Sequence, residues 1–224
     1  MVPATLSHND MTGVADIDAV VAAIRRGGVV AVPTDTVYGL VCDPRDADAV
    51  DRIYAIKRRP AALELTLLAG SVAEVEAAIE LSAEARMLAA RYWPGALSII
   101  APLRRRDLAI PRDGTSLSCR IPDHDLLLQL LRRTGPLAST SANPHGERPA
   151  TTAEAVRASL GSELDAVLDG GTAGGLASSI IDCGRTPPRV VREGPISAAE
   201  LLAHVTPARP APNTTEDRMR RDRE

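Results

Sequence analysis

Short aliphatic runs alternate with helix-length amphipathic segments along most of the chain, and no other feature of the sequence restricts the fold as much. Residues 29–32, 65–68, 96–101, 116–121, 137–139, 167–168, 179–181 and 190–191 read as strands, being brief, apolar and bounded by turn formers. Helical patterns lie between them. Ile17, Val20, Val21 and Ile24 recur at helical spacing before Gly27-Gly28 stops the helix. Asp46 is placed to cap a helix that turns Val50, Ile53 and Ile56 inward. Further helices are expected over 83–92, ended by Trp93-Pro94-Gly95, and over the Leu-rich 125–133. Ser71 with Glu74, and Thr151 with Glu154, have capping-box spacing, and Ser197 with Glu200 opens a last short helix. The alternation predicts one α/β domain over 12–205. Residues 1–11 read as a loose leader, and the Pro-rich, then charged 206–224 as a disordered, dispensable tail.

Composition narrows the function classes. With one Trp, three Tyr and no Phe, the core must be built from Leu, Ile, Val and Ala. The formal net charge of -3 argues against a broadly basic nucleic-acid surface. Cys42, Cys119 and Cys183 are scattered, with no CxxC pair, so a disulfide framework or Cys-rich zinc site is not expected and a reducing cytoplasm fits. No apolar run approaches the ~18 residues of a membrane span, and no signal-peptide pattern opens the chain. His8, His124, His145 and His204 lack metal-ligand spacing. Arg104-Arg105-Arg106 reads as a solvated connection.

Five constellations remain as carriers of chemistry. Thr34, Asp35, Thr36 and Tyr38 follow the strand 29–32; open α/β sheets bind ligands beyond strand ends, though the same residues suit plain turn chemistry. Lys57, Arg58 and Arg59 end a helix, where cations favour the dipole. Lys57 and Arg59 do not share a helical face, so aiming both at one phosphate requires the helix to unwind there, which Pro60 favours. Ser139-Thr140-Ser141-Ala142-Asn143 offers hydroxyls, an amide and backbone N–H groups for a phosphate or ribose, or for a simple turn. Gly170-Gly171-Thr172-Ala173-Gly174-Gly175 matches neither phosphate-loop nor dinucleotide fingerprints and by itself indicates a flexible loop. Arg120 and Arg192 end strands, where each can clamp a carboxylate or phosphate or form a surface ion pair. There is no GxSxG elbow to support a hydrolase.

Taken in order, PTDTVYGL, the KxR of Lys57-Arg58-Arg59, YWPGALS, the RIP of Arg120-Ile121-Pro122, STSAN followed by Gly146, the SSIID of 178–182 and VVREG resemble the YrdC family of threonylcarbamoyl-AMP synthases. The resemblance spans about 17–205 and implies a twisted, open, mixed α/β sheet flanked by helices, with a concave electropositive cavity. It implies a nucleotidyltransferase that forms L-threonylcarbamoyl-adenylate and pyrophosphate from ATP, L-threonine and bicarbonate, with Mg²⁺. The product would pass to a separate transferase complex that modifies adenosine 37 of tRNA, and the family has been linked to tRNA or double-stranded RNA contact. On the threonine side it implies Thr36, Arg120 and Ser178. On the ATP side it implies Lys57 and Arg59, which would also stabilise the reacting phosphates, together with Ser116, Ser141, Asn143, Thr151 and Arg192. The length matches the family's short bacterial form.

The chain departs from the family pattern directly after KxR, where it reads Pro60-Ala61-Ala62-Leu63-Glu64-Leu65. Leu63 stands where family members often carry a polar ATP contact, and Leu68 at a position that can be polar beside threonine. That departure supports a second reading, a YciO-type paralogue that binds RNA or regulates without efficient synthase activity. A third, a carbamoyl-transfer module, lacks its usual companion segments.

Overall fold

The computed structural model describes residues 16–58, 65–110 and 114–205. The expected leader and tail, Arg59 and the departure loop with Leu63 and Glu64 lie outside these described residues. The elements run α1 (Ile17–Arg25), β1 (Val30–Val32), β2 (Gly39–Cys42), α2 (Ala47–Lys57), β3 (Thr66–Leu68), α3 (Val72–Ala78), α4 (Ala83–Tyr92), β4 (Leu97–Pro102), β5 (Ser116–Arg120), α5 (Asp125–Thr134), β6 (Leu137–Ser141), α6 (Ala153–Leu160), β7 (Ala166–Val167), β8 (Ser179–Asp182), β9 (Arg189–Arg192) and α7 (Ala198–Ala203). Side-chain oxygens start most of the helices. Asp16, Asp46, Ser71, Ser82, Thr152 and Ser197 each accept a hydrogen bond from a backbone N–H of the first turn.

The nine strands of the described residues form one mixed sheet in the order β7-β1-β2-β6-β3-β5-β4-β8-β9. β1 with β7, β3 with β5 and β4 with β8 pair in parallel, and the other neighbours are antiparallel. The expected α/β class and mixed sheet are therefore present. Two small faults of register appear. The cap of α6 is Thr152, which accepts from Ala155 N, whereas the pattern had pointed to Thr151. Glu74 closes its capping box on Gly70 N at 2.8 Å, one residue earlier than the standard reciprocal bond. β2 was not anticipated, and β6 runs two residues further than expected, to Ser141.

The two faces of the sheet are covered unequally. One carries Leu40, Cys42, Leu67, Ile99, Cys119 and Ala138, buried in a continuous cluster with residues of α2, α3, α4 and α6. On the other, α1 and α5 cover only Val30, Val32, Val41, Leu68 and Leu137. Beyond them that face turns polar. Ser139, Thr66 and Ser118 stand in register on β6, β3 and β5, and Thr66 Oγ1 lies 3.0 Å from Ser118 Oγ. Side chains alternate across a strand, so Ser116, Ser118 and Arg120 share this face while Leu117 and Cys119 enter the opposite core. The uncovered, hydroxyl-bearing area is the floor of a cleft. Among the described residues, no helix is long and apolar enough to cross a membrane.

Candidate functional site

The first wall of the cleft is the turn between β1 and β2. Thr34 Oγ1 accepts from Thr36 N (3.0 Å) and Val37 N (3.2 Å) and donates to Val37 O (2.7 Å). Its one proton is thus committed, and the 2.9 Å contact with Thr36 Oγ1 must be donated by Thr36. Thr36 Oγ1 in turn accepts from Arg120 Nη1 at 2.8 Å. Arg120, 5% exposed, also gives Nη2–H to Asp35 Oδ1 at 2.6 Å and Nε–H to Gly95 O at 2.9 Å. Burial pushes this guanidinium below its ordinary value, and Asp35 acts in the opposite sense. Arginine has five N–H donors. Three are engaged, and two remain without a partner among the described residues, at the edge of the cleft.

The second wall comes from the segment before β8 and from the end of β9. Arg192 gives Nε–H to Ser178 O (2.9 Å) and Nη2–H to Ser178 Oγ (3.2 Å), and Ser178 Oγ lies 3.0 Å from Ser98 Oγ. Ser179 Oγ holds the strap behind them by donating to Ile196 O and accepting from the N–H groups of Gly194 and Ile196. The glycine run packs against the β1–β2 turn of the first wall. Tyr38 Oη donates to Gly171 O (2.8 Å) and accepts from Gly170 N (3.2 Å), and Gly175 N donates to Thr36 O (2.7 Å). Burial raises the Tyr38 phenol above its usual value, which keeps it a donor. A Cβ on Gly174 would lie 2.8 Å from Asp35 O, so glycine lets this loop sit directly on the turn. Sequence reasoning saw only a flexible loop here.

The third wall is the end of β6 with the turn after it. Lys57 is 2% exposed, and its Nζ lies against Ser141 and Asn143 rather than in open solvent. The expected unwinding after Lys57 is present, since Arg58 adopts a left-handed conformation with φ 48.

The walls enclose a cleft of about 160 Å³. It brings together Thr36, Arg120, Ser141, Ser178 and Arg192 from the sequence-derived set. Lys57 and Asn143 sit directly behind Ser141. Ser116 lies at the far end of β5, paired with Pro102 and outside the lining. Thr151 is marginal, its carbonyl taking Ala173 N at 2.8 Å. Sequence reasoning picked out Ser139 but missed Thr66 and Ser98 in the lining, and Ser118, which bonds to Thr66 beside it. Their signal is a lone hydroxyl at alternate positions within aliphatic strands, as in Leu97-Ser98-Ile99, which marks one wet face of a sheet. All three cysteines are free and buried, and among the described residues no three His, Cys, Asp or Glu side chains gather to hold a metal ion.

A family model described as telomere recombination, spanning Sua5, YciO and YrdC proteins, matches residues 22–194. The chain belongs to the Sua5/YciO/YrdC family. Within that family it is 39% identical over 189 residues to the threonylcarbamoyl-AMP synthase of Xanthomonas campestris, covering 81% of this chain and 96% of the relative. It is 36% identical over 208 residues to the threonylcarbamoyl-AMP synthase of Bacillus subtilis, covering 90% of this chain. It spans only 59% of that longer relative. Among solved family structures, P. abyssi Sua5 complexed with L-threonine superposes with a TM-score of 0.79 at 34% identity, over 86% of this chain and 58% of Sua5. E. coli YciO superposes with a TM-score of 0.73 at 29% identity, over 80% of this chain and 88% of YciO.

Proposed function

We propose that this protein is a threonylcarbamoyl-AMP synthase, a nucleotidyltransferase that joins L-threonine, bicarbonate and ATP into threonylcarbamoyl-adenylate and releases pyrophosphate. The observation that carries the reading is the Arg120–Thr36 pair at the cleft edge. Two unengaged guanidinium N–H groups suit the carboxylate of an amino acid. The Thr36 hydroxyl, its proton spent on Thr34, meets the amine as an acceptor. The support from relatives is that synthases of this name match most of the chain and that a similar Sua5 was solved with L-threonine.

In this reading the threonine amine captures CO₂ from bicarbonate and becomes a carbamate. A carbamate oxygen attacks the α-phosphorus of ATP, and the bond to pyrophosphate breaks. The protein contributes position and charge, which is what phosphoryl-type transfers draw on. The cleft is smaller than the ~300–1,000 Å³ of typical drug-sized pockets. It therefore suits the amino acid, with the nucleotide lying outward along the Ser141 wall. Lys57, Arg59, Asn143 and Arg192 are assigned to the ATP side with Ser141, and Ser116 and Thr151 to its margins. Mg²⁺ enters as the counter-ion of ATP. The carboxylate at the cleft edge, Asp35, is committed to Arg120, so the described residues do not fit a protein-held metal. The product would pass to the enzyme complex that modifies adenosine 37 of tRNA, in a reducing cytoplasm.

The test is pyrophosphate release from ATP and bicarbonate with and without threonine. Threonine-dependent release is expected. Its absence, with the protein folded, removes the synthase reading and leaves the YciO-type role, for which Leu68 supplies the motive: it packs into the α1/α5 core at a position that can be polar in the family.

A further inference from the structure

Lys57 is the last residue of α2, and both its main chain and its side chain bind one turn 84 to 88 residues away. Its carbonyl accepts from His145 N at 2.9 Å. Its Nζ donates to Ser141 O at 2.6 Å, Asn143 O at 2.7 Å and Asn143 Oδ1 at 3.0 Å. A lysine ammonium has three protons, and three protein oxygens within 3.0 Å take them up. Asn143 is equally committed. Its Nδ2 donates to Pro144 O (2.9 Å) and Glu147 O (2.7 Å), while its Oδ1 accepts from Lys57 and from Ser141 Oγ at 2.6 Å. Flipping the amide would set Oδ1 against two carbonyls, so its orientation follows from its partners. Lys57 is 2% exposed and Asn143 7%. Neither side chain has a donor to spare for a phosphate, and Ser141 is the member of the group that lines the cleft.

We infer that Lys57 is a positioning residue that acts through the Ser141–Asn143 turn, and is not itself a phosphate ligand. The inference rests on the ATP-using reading only for its kinetic consequence; the packing stands without it. A buried ammonium that binds the carbonyls of Ser141 and Asn143 and an amide oxygen fixes the turn more rigidly than a neutral side chain would, because charge-assisted bonds are the stronger ones. Its charge still lies just beneath the wall along which the nucleotide is placed.

The test compares the full-length wild type with Lys57→Met, Asn143→Ala and the double variant. In the ligand-free protein, the amides of Ala142, His145 and Ala150, which are bonded to Tyr38 O, Lys57 O and Ala142 O, should exchange about tenfold faster or more in Lys57→Met, as expected when a buried charged donor leaves its acceptors. KM for ATP should rise by about tenfold or more and KM for threonine by less than about twofold. The double variant should be no more than about twofold worse than the poorer single one, because the two residues act as a unit. A direct phosphate ligand predicts unchanged exchange in the ligand-free protein and additive losses, and either result overturns the inference. If Lys57→Met does not fold, Asn143→Ala carries the exchange comparison. If the wild type turns over no ATP, the synthase reading fails, and exchange alone decides the role of Lys57.

Discussion

Arg120 and Asp35 form an ion pair at 2.6 Å in which the two side chains are 6% and 18% exposed. Asp35 Oδ1 also accepts from Asp123 N at 3.2 Å, so the carboxylate joins the β1–β2 turn to the chain just after β5. Removing one partner of a buried pair strands the other charge. Asp35→Ala should therefore cost about 3 kcal/mol of stability and raise KM for threonine by roughly tenfold, the loss expected for about 1.4 kcal/mol of binding. Thermal unfolding and threonine kinetics would read both. An unchanged KM would mean that Arg120 keeps its aim without Asp35.

Thr36 transmits hydrogen bonds from Arg120 to Thr34. Thr36→Val fills the same volume but leaves Arg120 Nη1 without its acceptor, at a cost of about 1–3 kcal/mol. Thr36→Ser keeps the hydroxyl and should retain most of the activity. The comparison is kcat/KM for threonine, and equal losses in the two variants would show that the hydroxyl is not what matters.

Gly194, in the VVREG motif, owes its identity to contact. A Cβ there would lie 2.2 Å from Ala177 O and 2.7 Å from Ser179 N. Gly194→Ala must displace backbone, with a cost of about 1–3 kcal/mol or more, and would move Ser178 away from Ser98. The variant is expected to have a lower Tm and little turnover; wild-type turnover would place Ser178 outside the chemistry.

Burial pushes the Cys42 and Cys183 thiols up to about 12 from an ordinary 9.0. Below pH 9 both states hold the thiol proton, and no stability is lost. Between pH 9 and 12 the unfolded chain releases its protons while the folded one keeps them, so stability falls as pH rises, by about 1.4 kcal/mol per pH unit for each thiol. Cys42→Ala should flatten this alkaline slope relative to the wild type in denaturant titrations at pH 9, 10 and 11. Parallel curves would show that Cys42 ionises equally in both states.

The helices were legible because their signals are local. Asp46, Ser71 and Ser197 cap where the pattern places them, and the alternation of 116–120 reports a half-wet strand. β2 was not legible, since Gly39-Leu40-Val41-Cys42 is four residues long and directly follows a turn. The floor of the cleft was hidden for a different reason. Ser139, Thr66 and Ser118 become neighbours only through the β6-β3-β5 pairing, a non-consecutive order that no local pattern encodes. Lys57 stands out in the sequence as a helix-end cation, but the turn that captures it lies far along the chain.

The cleft's three walls are closed by contacts of long reach: 85 residues between Asp35 and Arg120, 86 between Lys57 and Asn143, and 80 between Ser98 and Ser178. The three spans overlap from 98 to 120. A single break anywhere in that interval would unstitch every wall at once, and neither fragment would carry a working half. Catalysis by two such pieces mixed together would thus report their complete reassembly.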